Sequence, residues 1–467
     1  MKIRNPRTGR LDFNLNEVSL DEVAHLAANL RASQPLWWQL GMAARVKAMQ
    51  DFAEQLAVHR EALVAAVAED TGRWSESELE VDVTISTIQR WCKDAPELLA
   101  EAPPRKAQIP FLEIQPSYLP FEVVGVISPW NFPLLLSLVD AIPALLAGCA
   151  VVIKPSEVTS RFVAPLQEAI RATPALAAVL QIVTGAGETG QAVIQHVDTL
   201  CFTGSVATGR RVGELCAQQF IPAFLELGGK DAAIVCDDAD IEVATSALCW
   251  GSMVNAGQSC MSLERIYVHE CIADAFISRL VEKVKKLRHN YPDIRVGEIG
   301  PVISDKQVAV IRQQLDDAFE KGARALCGGQ VLELGGGFYC EPTVLDQVSN
   351  NMQIVTEETF AAIVVVQRVQ SNDEAVRLAN DSKYGLSAAV FSQDLANAYR
   401  ISATLKAGGI SINDASLTGF VHEAEKQSFQ CSGMGGSRMG AESIRRFIRK
   451  KSFIRNTGVP SPWWFKA

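Results

Sequence analysis

Two side chains at glycine-rich turns could carry out covalent chemistry in this chain of 467 residues. Cys260 ends the segment GQSC, and Glu226 opens the segment ELGGK thirty-four positions earlier. A thiol that forms a covalent intermediate needs a base to activate the water that releases the product. Since a lone cysteine is usually a small buried hydrophobic residue, the carboxylate is what makes the pair a candidate for nucleophilic catalysis.

A third polar side chain, Asn131, follows a strand-like stretch that ends at Ile127. It lies in the segment SPWNFP, residues 128–133, between prolines and aromatic residues. Such an amide could donate a hydrogen bond to the oxyanion of a tetrahedral intermediate, and losing one such donor costs about 10²–10³ in rate. A turn residue that is satisfied locally is the alternative interpretation.

Two further turns follow apolar strands and could bind a nucleotide. In the segment FTGSVATG, Gly204 allows close backbone approach, and Ser205 could cap a helix whose N-terminus binds a phosphate. In the segment KPSE, Lys154 and Glu157 could bind ribose hydroxyls, and the carboxylate would disfavour a 2′-phosphate. Neither turn has the G-x-G-x-x-G fingerprint, so a structural turn and a solvated loop remain the alternatives.

Together and in this order, these motifs resemble the signature segments of the NAD(P)-dependent aldehyde dehydrogenase superfamily. The resemblance covers nearly the whole chain. It implies an α/β fold with two doubly wound α/β domains, a Rossmann-like cofactor domain and a catalytic domain, plus a small β oligomerisation arm. It also implies oxidation of an aldehyde to a carboxylic acid, in which Cys260 forms a thiohemiacetal and then a thioester, Asn131 stabilises the oxyanion, and Glu226 activates water.

The resemblance further implies that NAD binds, with NADP as a second possibility. Glu358 and Phe360 are expected at the nicotinamide ribose, Gly187 is expected near the adenine, and the preference for NAD rests on Glu157. The expected cofactor-binding residues are Ile127, Ser128, Pro129, Trp130, Lys154, Ser156, Glu157, Gly187, Gly204, Ser205, Leu227, Glu358 and Phe360.

The aldehyde tunnel implied by the same resemblance is apolar. Its expected lining residues are Phe132, Leu136, Val139, Val254 and Met261. Because we find no arginine placed to bind a carboxylate, we expect an aliphatic or aromatic aldehyde to be preferred over succinate semialdehyde. The alternative is that these side chains belong to the core.

Three features depart from the family pattern. Two alanines replace the usual Gly-Pro after Phe360. Asp140 stands where a lysine is common, and it could alter proton transfer from Glu226 or be buried and paired. The segment 414–434 is longer than expected and would add residues over the substrate mouth.

Alternating secondary-structure patterns would position these side chains. Residues 19–70 show helical spacing of apolar residues but carry no evident chemistry, and strands alternate with helices from Phe121 onward, which favours doubly wound parallel sheets. The expected organisation is a cofactor-binding domain of residues 1–101 and 122–227, a catalytic domain of residues 228–447, and an oligomerisation arm of residues 102–121 and 448–467.

Composition narrows the remaining function classes. The net charge of −9 argues against nucleic-acid binding. Eleven scattered cysteines without a Cys-x-x-Cys pair indicate a reducing, cytoplasmic setting, and six histidines lack zinc-site spacing, so no metal is expected. The apolar stretch 132–153 contains Asp140 and two prolines, which favours a buried helix and strand over a membrane span.

We therefore expect a small-molecule aldehyde as partner, no nucleic acid or membrane, and a homodimer or homotetramer. Two other functions stay open. A CoA-acylating aldehyde dehydrogenase would use a thiol instead of water, and Glu226 argues against it because such enzymes commonly lack this base. A non-catalytic binding protein on the same fold would not require Cys260, Glu226 and Asn131 together.

Overall fold

The structure, a computed structural model, describes residues 1–458 and begins with a short hairpin, four helices and a second pair of strands. Ser19 accepts a hydrogen bond from the N–H of Glu22 and so caps the first long helix, and the third ends at Gly72, whose φ is +70°. These elements are β1 (Lys2–Arg4), β2 (Leu11–Asn14), α1 (Leu20–Gln39), α2 (Gly41–Val58), α3 (Arg60–Thr71), α4 (Ser75–Leu98), β3 (Arg105–Lys106) and β4 (Leu112–Pro120).

The first lobe is built from strands that alternate with helices, as the sequence predicts from Phe121 onward. Its elements are β5 (Val123–Ile127), α5 (Pro133–Leu138), α6 (Ala141–Ala147), β6 (Ala150–Lys154), α7 (Val163–Arg171), α8 (Pro174–Ala177), β7 (Leu180–Ile182), α9 (Gly187–His196), β8 (Thr199–Thr203), α10 (Val206–Gln218) and β9 (Ala223–Glu226). The five strands are parallel and lie in the order β9-β8-β5-β6-β7. Strands β6 and β7 are added on one side of β5, and β8 and β9 are then added on its other side. In sheets of this topology, ligands bind beyond the carboxyl ends of the strands at the point where the strand order reverses.

The second lobe repeats this alternation around a larger sheet. Its elements are β10 (Asp231–Val235), α11 (Ile241–Met253), β11 (Leu263–His269), α12 (Glu270–Val284), α13 (Asp305–Glu320), β12 (Arg324–Cys327), β13 (Val331–Leu334), β14 (Gly337–Cys340), β15 (Thr343–Asp346), α14 (Gln353–Thr356), β16 (Ile363–Val369), α15 (Asn372–Asn380), β17 (Tyr384–Gly385), β18 (Ser387–Phe391), α16 (Leu395–Ser402) and β19 (Gly409–Ile412). The main sheet has the order β12-β15-β16-β11-β10-β18-β19, and its pairs are parallel except for that of β12 with β15.

The last described segment returns to the first lobe. It contains β20 (Phe429–Gln430), β21 (Gly433–Met434) and β22 (Ile448–Asn456). β21 pairs with β9, and Ile444 and Phe447 are buried in the core of the first lobe. Residues 433–447 therefore contact the first lobe, whereas the sequence prediction groups them with the catalytic domain.

The predicted arm forms a small sheet of three strands. β22 pairs with β4 along its whole length, and β3 pairs with the beginning of β4. Residues 459–467 of the predicted arm lie outside the described residues. Within the described chain no helix is both long enough and apolar enough to span a membrane, and the apolar stretch 132–153 forms buried α5, α6 and β6 instead.

Candidate active site

One cleft contains all three residues predicted to be catalytic. The sequence did not single out Thr203, Gly228 and Gln307, which also line it. The full lining is Pro129, Trp130, Asn131, Leu136, Thr203, Gly204, Ser205, Glu226, Leu227, Gly228, Cys260, Gln307, Glu358 and Phe360. Asn131 and Cys260, which are 129 positions apart in the chain, thus meet where strands β5, β8 and β9 end.

A left-handed turn presents Cys260. After α11 the chain forms a 3₁₀ helix (Val254–Gly257) in which Asn255, Ala256 and Gly257 all have positive φ, between +54° and +71°. A Cβ on Gly257 would lie 1.9 Å from the carbonyl oxygen of Ala361, so a side chain there would collide with backbone. The glycine of the GQSC segment is therefore required by close packing against the turn that follows Phe360.

The two glycines of the ELGGK segment serve a similar purpose. A Cβ on Gly228 would lie 2.4 Å from Oε2 of Glu358, and one on Gly229 would lie 2.4 Å from the carbonyl oxygen of Cys260. The N–H of Gly229 also donates to Oε1 of Glu358 at 3.0 Å. This segment thus brings the cysteine loop and the predicted ribose-binding carboxylate against one stretch of backbone.

A buried ion pair shapes the turn that carries Glu358 and Phe360. Lys230 pairs with Glu264, and Glu264 accepts the N–H groups of Thr359 and Phe360 at 2.9 and 3.0 Å. Phe360 has a φ of +55°, and its ring lies 5.3 Å from that of Trp130 in an edge-to-face arrangement. Glu264 thus holds the turn although two alanines replace the usual Gly-Pro.

Asn131 is almost fully buried, with 4% of its surface exposed. Its Nδ2 donates to the carbonyl of Gln258 at 3.0 Å, which ties it to the cysteine loop. Its own carbonyl accepts a hydrogen bond from Arg73 at 2.6 Å. Arg73 follows the turn at Gly72, just beyond the helical pattern predicted for residues 19–70, and the sequence predicted no role for it in the site.

Glu226 is fixed by its backbone more than by its side chain. It ends β9, pairs with Thr203 on one side and Gly433 on the other, and is half-buried. Its Oε2 accepts one hydrogen bond, from Oγ of Ser428 at 2.8 Å. The carboxylate thus lies in the cleft on a rigid strand but with a single side-chain partner among the described residues.

The electrostatics of the cleft favour a neutral thiol. Burial raises the pKa of Cys260 to about 12, and the carboxylate of Glu358 adds to this rise, whereas Lys426 acts in the opposite direction. Burial also raises the pKa of Glu358 to about 8, with a further contribution from Glu264. The thiol is therefore protonated at neutral pH, and nucleophilic attack requires a group that accepts its proton.

The remaining predicted cofactor residues flank the cleft at the ends of β5 and β6. Ile127 pairs with Lys154 there, and Nζ of Lys154 lies 3.0 Å from Oε2 of Glu157. Outside the cleft lining lie Ile127, Ser128, Lys154, Ser156, Glu157 and Gly187. Of these, Ser128 is buried and its Oγ lies 2.7 Å from Oγ of Ser137.

The glycine and serine expected near the cofactor leave room for a ligand. Gly187 is exposed at the start of α9, and a Cβ there would meet no atom within 4 Å. Ser205 accepts a hydrogen bond from the N–H of Thr208 and caps α10, whose N-terminus opens toward the cleft. These features fit a dinucleotide lying along the strand ends.

The predicted tunnel residues are divided between two elements. Phe132, Leu136 and Val139 lie in or beside α5, and Val254 and Met261 flank the cysteine turn. Only Leu136 among these lines the cleft. The described residues contain no group of three or more potential metal ligands.

Comparison with known proteins identifies the family of this fold and cleft. The model of the aldehyde dehydrogenase family matches residues 1–453. The chain belongs to the aldehyde dehydrogenase family. This agrees with the resemblance seen in the sequence motifs.

Individual relatives support this membership. The chain is 34% identical to a Mycolicibacterium smegmatis protein provisionally named succinate-semialdehyde dehydrogenase (NADP(+)), over 98% of this chain and 91% of that protein. A solved chain from Anabaena variabilis, provisionally assigned as the aldehyde dehydrogenase PutA, is 49% identical with a TM-score of 0.98 over 100% of both chains. Betaine aldehyde dehydrogenase from Staphylococcus aureus, solved with NAD+, is 31% identical with a TM-score of 0.93 over 100% of this chain and 93% of that one.

In this aldehyde dehydrogenase, Asp140, which stands where a lysine is common in the family, forms ion pairs with two arginines. Asp140 is buried, and its oxygens lie 2.7 Å from Arg438 and 2.8 Å from Arg446. Although burial opposes ionisation, these two guanidinium groups hold the pKa of Asp140 below its usual value. Arg438 also donates to Oγ1 of Thr203, which lines the cleft.

The long segment 414–434 contacts both catalytic loops. Oγ of Ser416 donates to the carbonyl of Met261 at 3.2 Å, and the ring of Phe420 lies 5.6 Å from that of Trp250 on α11. Further along, Ser428 reaches Glu226. The segment therefore covers the residue that follows Cys260 and also supplies Ser428, the side chain that bonds Glu226 among residues 1–458.

Proposed function

We propose that this aldehyde dehydrogenase oxidises an aldehyde to a carboxylic acid with NAD, through a thioester on Cys260. The observation that carries the proposal is the cleft shared by Cys260, Asn131 and Glu226. A nucleophile, an oxyanion donor and a base in one cleft are the three groups that acyl chemistry with water requires. A binding protein on this fold would not need all three together.

In the first step, Sγ of Cys260 attacks the aldehyde carbon while the thiol proton passes to Glu226. The carbonyl oxygen becomes an oxyanion, which the amide of Asn131 and the backbone N–H of Cys260 stabilise. One hydrogen of the Asn131 amide is engaged by Gln258, which leaves the other for this oxyanion. The raised pKa of Cys260 supports a base-assisted attack over a standing thiolate.

The residues at the strand ends support a dinucleotide in this cleft. Glu358 would hold the nicotinamide ribose, the pair Lys154 and Glu157 the adenine ribose, and the N-terminus of α10 beyond Ser205 a phosphate. When bound, NAD supplies the two-electron acceptor that lets the thiohemiacetal become a thioester.

Before hydrolysis, Glu226 releases the thiol proton to solvent, which restores its carboxylate. In the last step, Glu226 accepts a proton from water as the water oxygen attacks the thioester carbon. The carbon–sulfur bond breaks, the acid leaves, and the thiolate of Cys260 takes up the proton that Glu226 accepted from water. Such base assistance contributes about 10²–10⁴ in rate.

A panel of aldehydes with NADH detection tests the proposal. Cys260→Ser should abolish turnover, whereas Cys271→Ser, at an exposed cysteine of α12, should retain it. Glu226→Gln should accumulate an acyl-enzyme that mass spectrometry detects on Cys260. Normal turnover of the Cys260→Ser variant, or NADH formation only when CoA is supplied, with acyl-CoA as the product, would overturn the assignment.

The proposed preference for NAD over NADP rests on Glu157. Among the relatives, the Mycolicibacterium smegmatis protein has NADP(+) in its name, whereas the Staphylococcus aureus enzyme was solved with NAD+. Glu157→Gln should narrow the difference in KM between NAD and NADP, because the carboxylate repels a 2′-phosphate. An unchanged ratio of the two KM values would remove this argument.

An apolar aldehyde is the proposed substrate class. Its support is Leu136, the member of the predicted tunnel set that lines the cleft, while Phe132, Val139, Val254 and Met261 stay predictions from the sequence. Comparing kcat/KM for hexanal, benzaldehyde, betaine aldehyde and succinate semialdehyde tests it, and a strong preference for the semialdehyde would refute it.

The proposed assembly is a homodimer or homotetramer through the arm sheet. Strand β22 is at the edge of this sheet and exposes Phe453 and Ile454, which are 50% and 67% exposed and lie on opposite faces, and an exposed edge strand favours contact with another chain. Light scattering after size exclusion would give the mass, and a monomer at micromolar concentration would contradict the proposal.

A further inference from the structure

An ion pair from the N-terminal helices holds the segment that carries Asn131. Nη2 of Arg73 donates to the carbonyl of Asn131 at 2.6 Å and lies 3.2 Å from Oε2 of Glu80. The other oxygen of Glu80 accepts the N–H groups of Leu134 and Leu135 at 2.7 and 3.0 Å. These are orphan donors of the first turn of α5, so one carboxylate caps that helix from the side.

Arg73 and Glu80 are both removed from water, since their side chains are 3% and 0% exposed. Burying such a pair costs desolvation free energy that the mutual attraction repays only with good geometry, so it is poor evidence for stability alone. Arg73 has unused donors: among the described residues, Nε and Nη1 have no hydrogen-bond partner. Its guanidinium lies over the Phe132 ring at 4.4 Å instead.

Asn131 is thus fixed from both ends. Arg73 and the amide of Asn255, at 3.3 Å, bind its backbone carbonyl, while Gln258 binds its side chain. A donor aimed at a developing oxyanion contributes only when its direction is set before the reaction. The side-chain hydrogen bonds of Arg73 and Glu80 link the two residues to each other and to the backbone of residues 131–135, and the ring that Arg73 faces, that of Phe132, does not line the cleft.

We propose that Arg73 and Glu80 are positioning residues that act through Asn131 to set the direction of its amide toward the oxyanion. The proposal rests on the proposed function, in which this amide stabilises the intermediates on Cys260. Neither residue touches the reacting atoms. Loosening the pair therefore leaves the nucleophile, the base and the cofactor site in place but misdirects one donor.

The test measures the first turnover of NADH formation by Glu80→Gln in stopped flow. Glutamine keeps the size of the side chain and one acceptor oxygen but loses the charge that faces Arg73. We expect the rate to fall about 10- to 100-fold, as small misplacements of a reacting geometry do, with the Kd for NAD within about twofold of wild type. Arg73→Lys retains the charge but replaces the planar guanidinium, which lies over the Phe132 ring and aims Nη2 at both Glu80 and Asn131, with a shorter amine. It should show the same pattern and serves if Glu80→Gln fails to fold.

Asp70→Asn is the matched control. Asp70 forms a buried pair with Arg161, at 2.7 Å, and its side chain is 0% exposed, but within the described chain its hydrogen bonds go to Arg161 and not to residues 131–135. We expect this variant to lower Tm by a similar amount while its first-turnover rate stays within about threefold of wild type. An equal loss of rate in both variants would show that general destabilisation is the cause and would overturn the proposal.

A double-mutant cycle with Asn131→Ala separates a positioning role from an independent one. If Glu80 acts through Asn131, Glu80→Gln should reduce the rate no further once the amide is gone. If the double variant instead loses rate by the product of the two single losses, the proposal is overturned. A wild-type rate for Glu80→Gln alone would overturn it as well. If wild type oxidises no aldehyde, the proposed function fails first, and that outcome is distinct because it appears before any variant is made.

Discussion

Asn131 and Glu226 line the same cleft, but the protein holds them in opposite ways. Asn131 is 4% exposed, and its backbone and its side chain are each bonded to buried residues, Arg73 and Gln258. Glu226 sits on a strand that is paired on both edges, yet its carboxylate has one described side-chain partner, Ser428, on a mostly exposed segment.

The contrast follows from what each group has to do. An oxyanion donor contributes through preorganisation, so movement of its amide costs rate. In the proposed mechanism Glu226 serves two positions, first the thiol of Cys260 and then a water. A fixed backbone with a loosely held carboxylate suits a group that must reach both.

Among the variants that test this contrast between Asn131 and Glu226, the largest loss of rate is expected from Asn131→Ala. Removing a preorganised donor should slow both the formation and the hydrolysis of the thioester by about 10²–10³. Stopped-flow NADH formation reports the first step, and acyl-enzyme decay followed by mass spectrometry reports the second. A loss confined to hydrolysis would contradict the role of Asn131 as a donor common to both tetrahedral intermediates.

The sequence predicted the parts of this site that depend on local patterns. The alternation of strands and helices and the turn of Gly204 and Ser205 are readable within about ten residues, since helix caps and strand ends are local features. The motif glycines signalled close approach, as Gly257 shows against the carbonyl of Ala361. The residue that packs against Gly257 could not be predicted, because Ala361 lies about a hundred positions further along the chain.

The supporting contacts escaped prediction for the same reason. Arg73 and Asn131 are separated by 58 positions, and Ser428 and Glu226 by 202. A charged residue on a helix is usually solvated, so nothing in the periodicity of α4 marks Glu80 as buried. Such pairings follow from how α4 packs against α5 and how β21 returns to β9, which are tertiary outcomes.

A second prediction concerns the proton that Glu226 must accept. With the pKa of Cys260 at about 12, the thiolate fraction of the free enzyme should rise about tenfold for each pH unit from 7 to 10, because this range lies below the pKa. Only the thiolate reacts with iodoacetamide. Alkylation of Cys260, followed by peptide mass spectrometry, should accelerate in step. A plateau below pH 9 would mean that Cys260 is already ionised and needs no base.

The smallest expected effect is that of Ser428→Ala, and it bears most directly on the contrast. Losing one hydrogen bond of about 0.5–1.5 kcal/mol should slow hydrolysis of the acyl-enzyme about 2- to 10-fold, because Glu226 then samples more orientations. Ser428→Thr keeps the hydroxyl and should retain most of the rate, and a small nucleophile that needs no base, such as hydroxylamine, should release the acyl group equally fast from wild type and variant. If Ser428→Ala instead slows hydrolysis of the acyl-enzyme as much as Asn131→Ala does, the orientation of the base is as tightly fixed as that of the oxyanion donor. The two catalytic groups would then be equally constrained despite the difference in their surroundings.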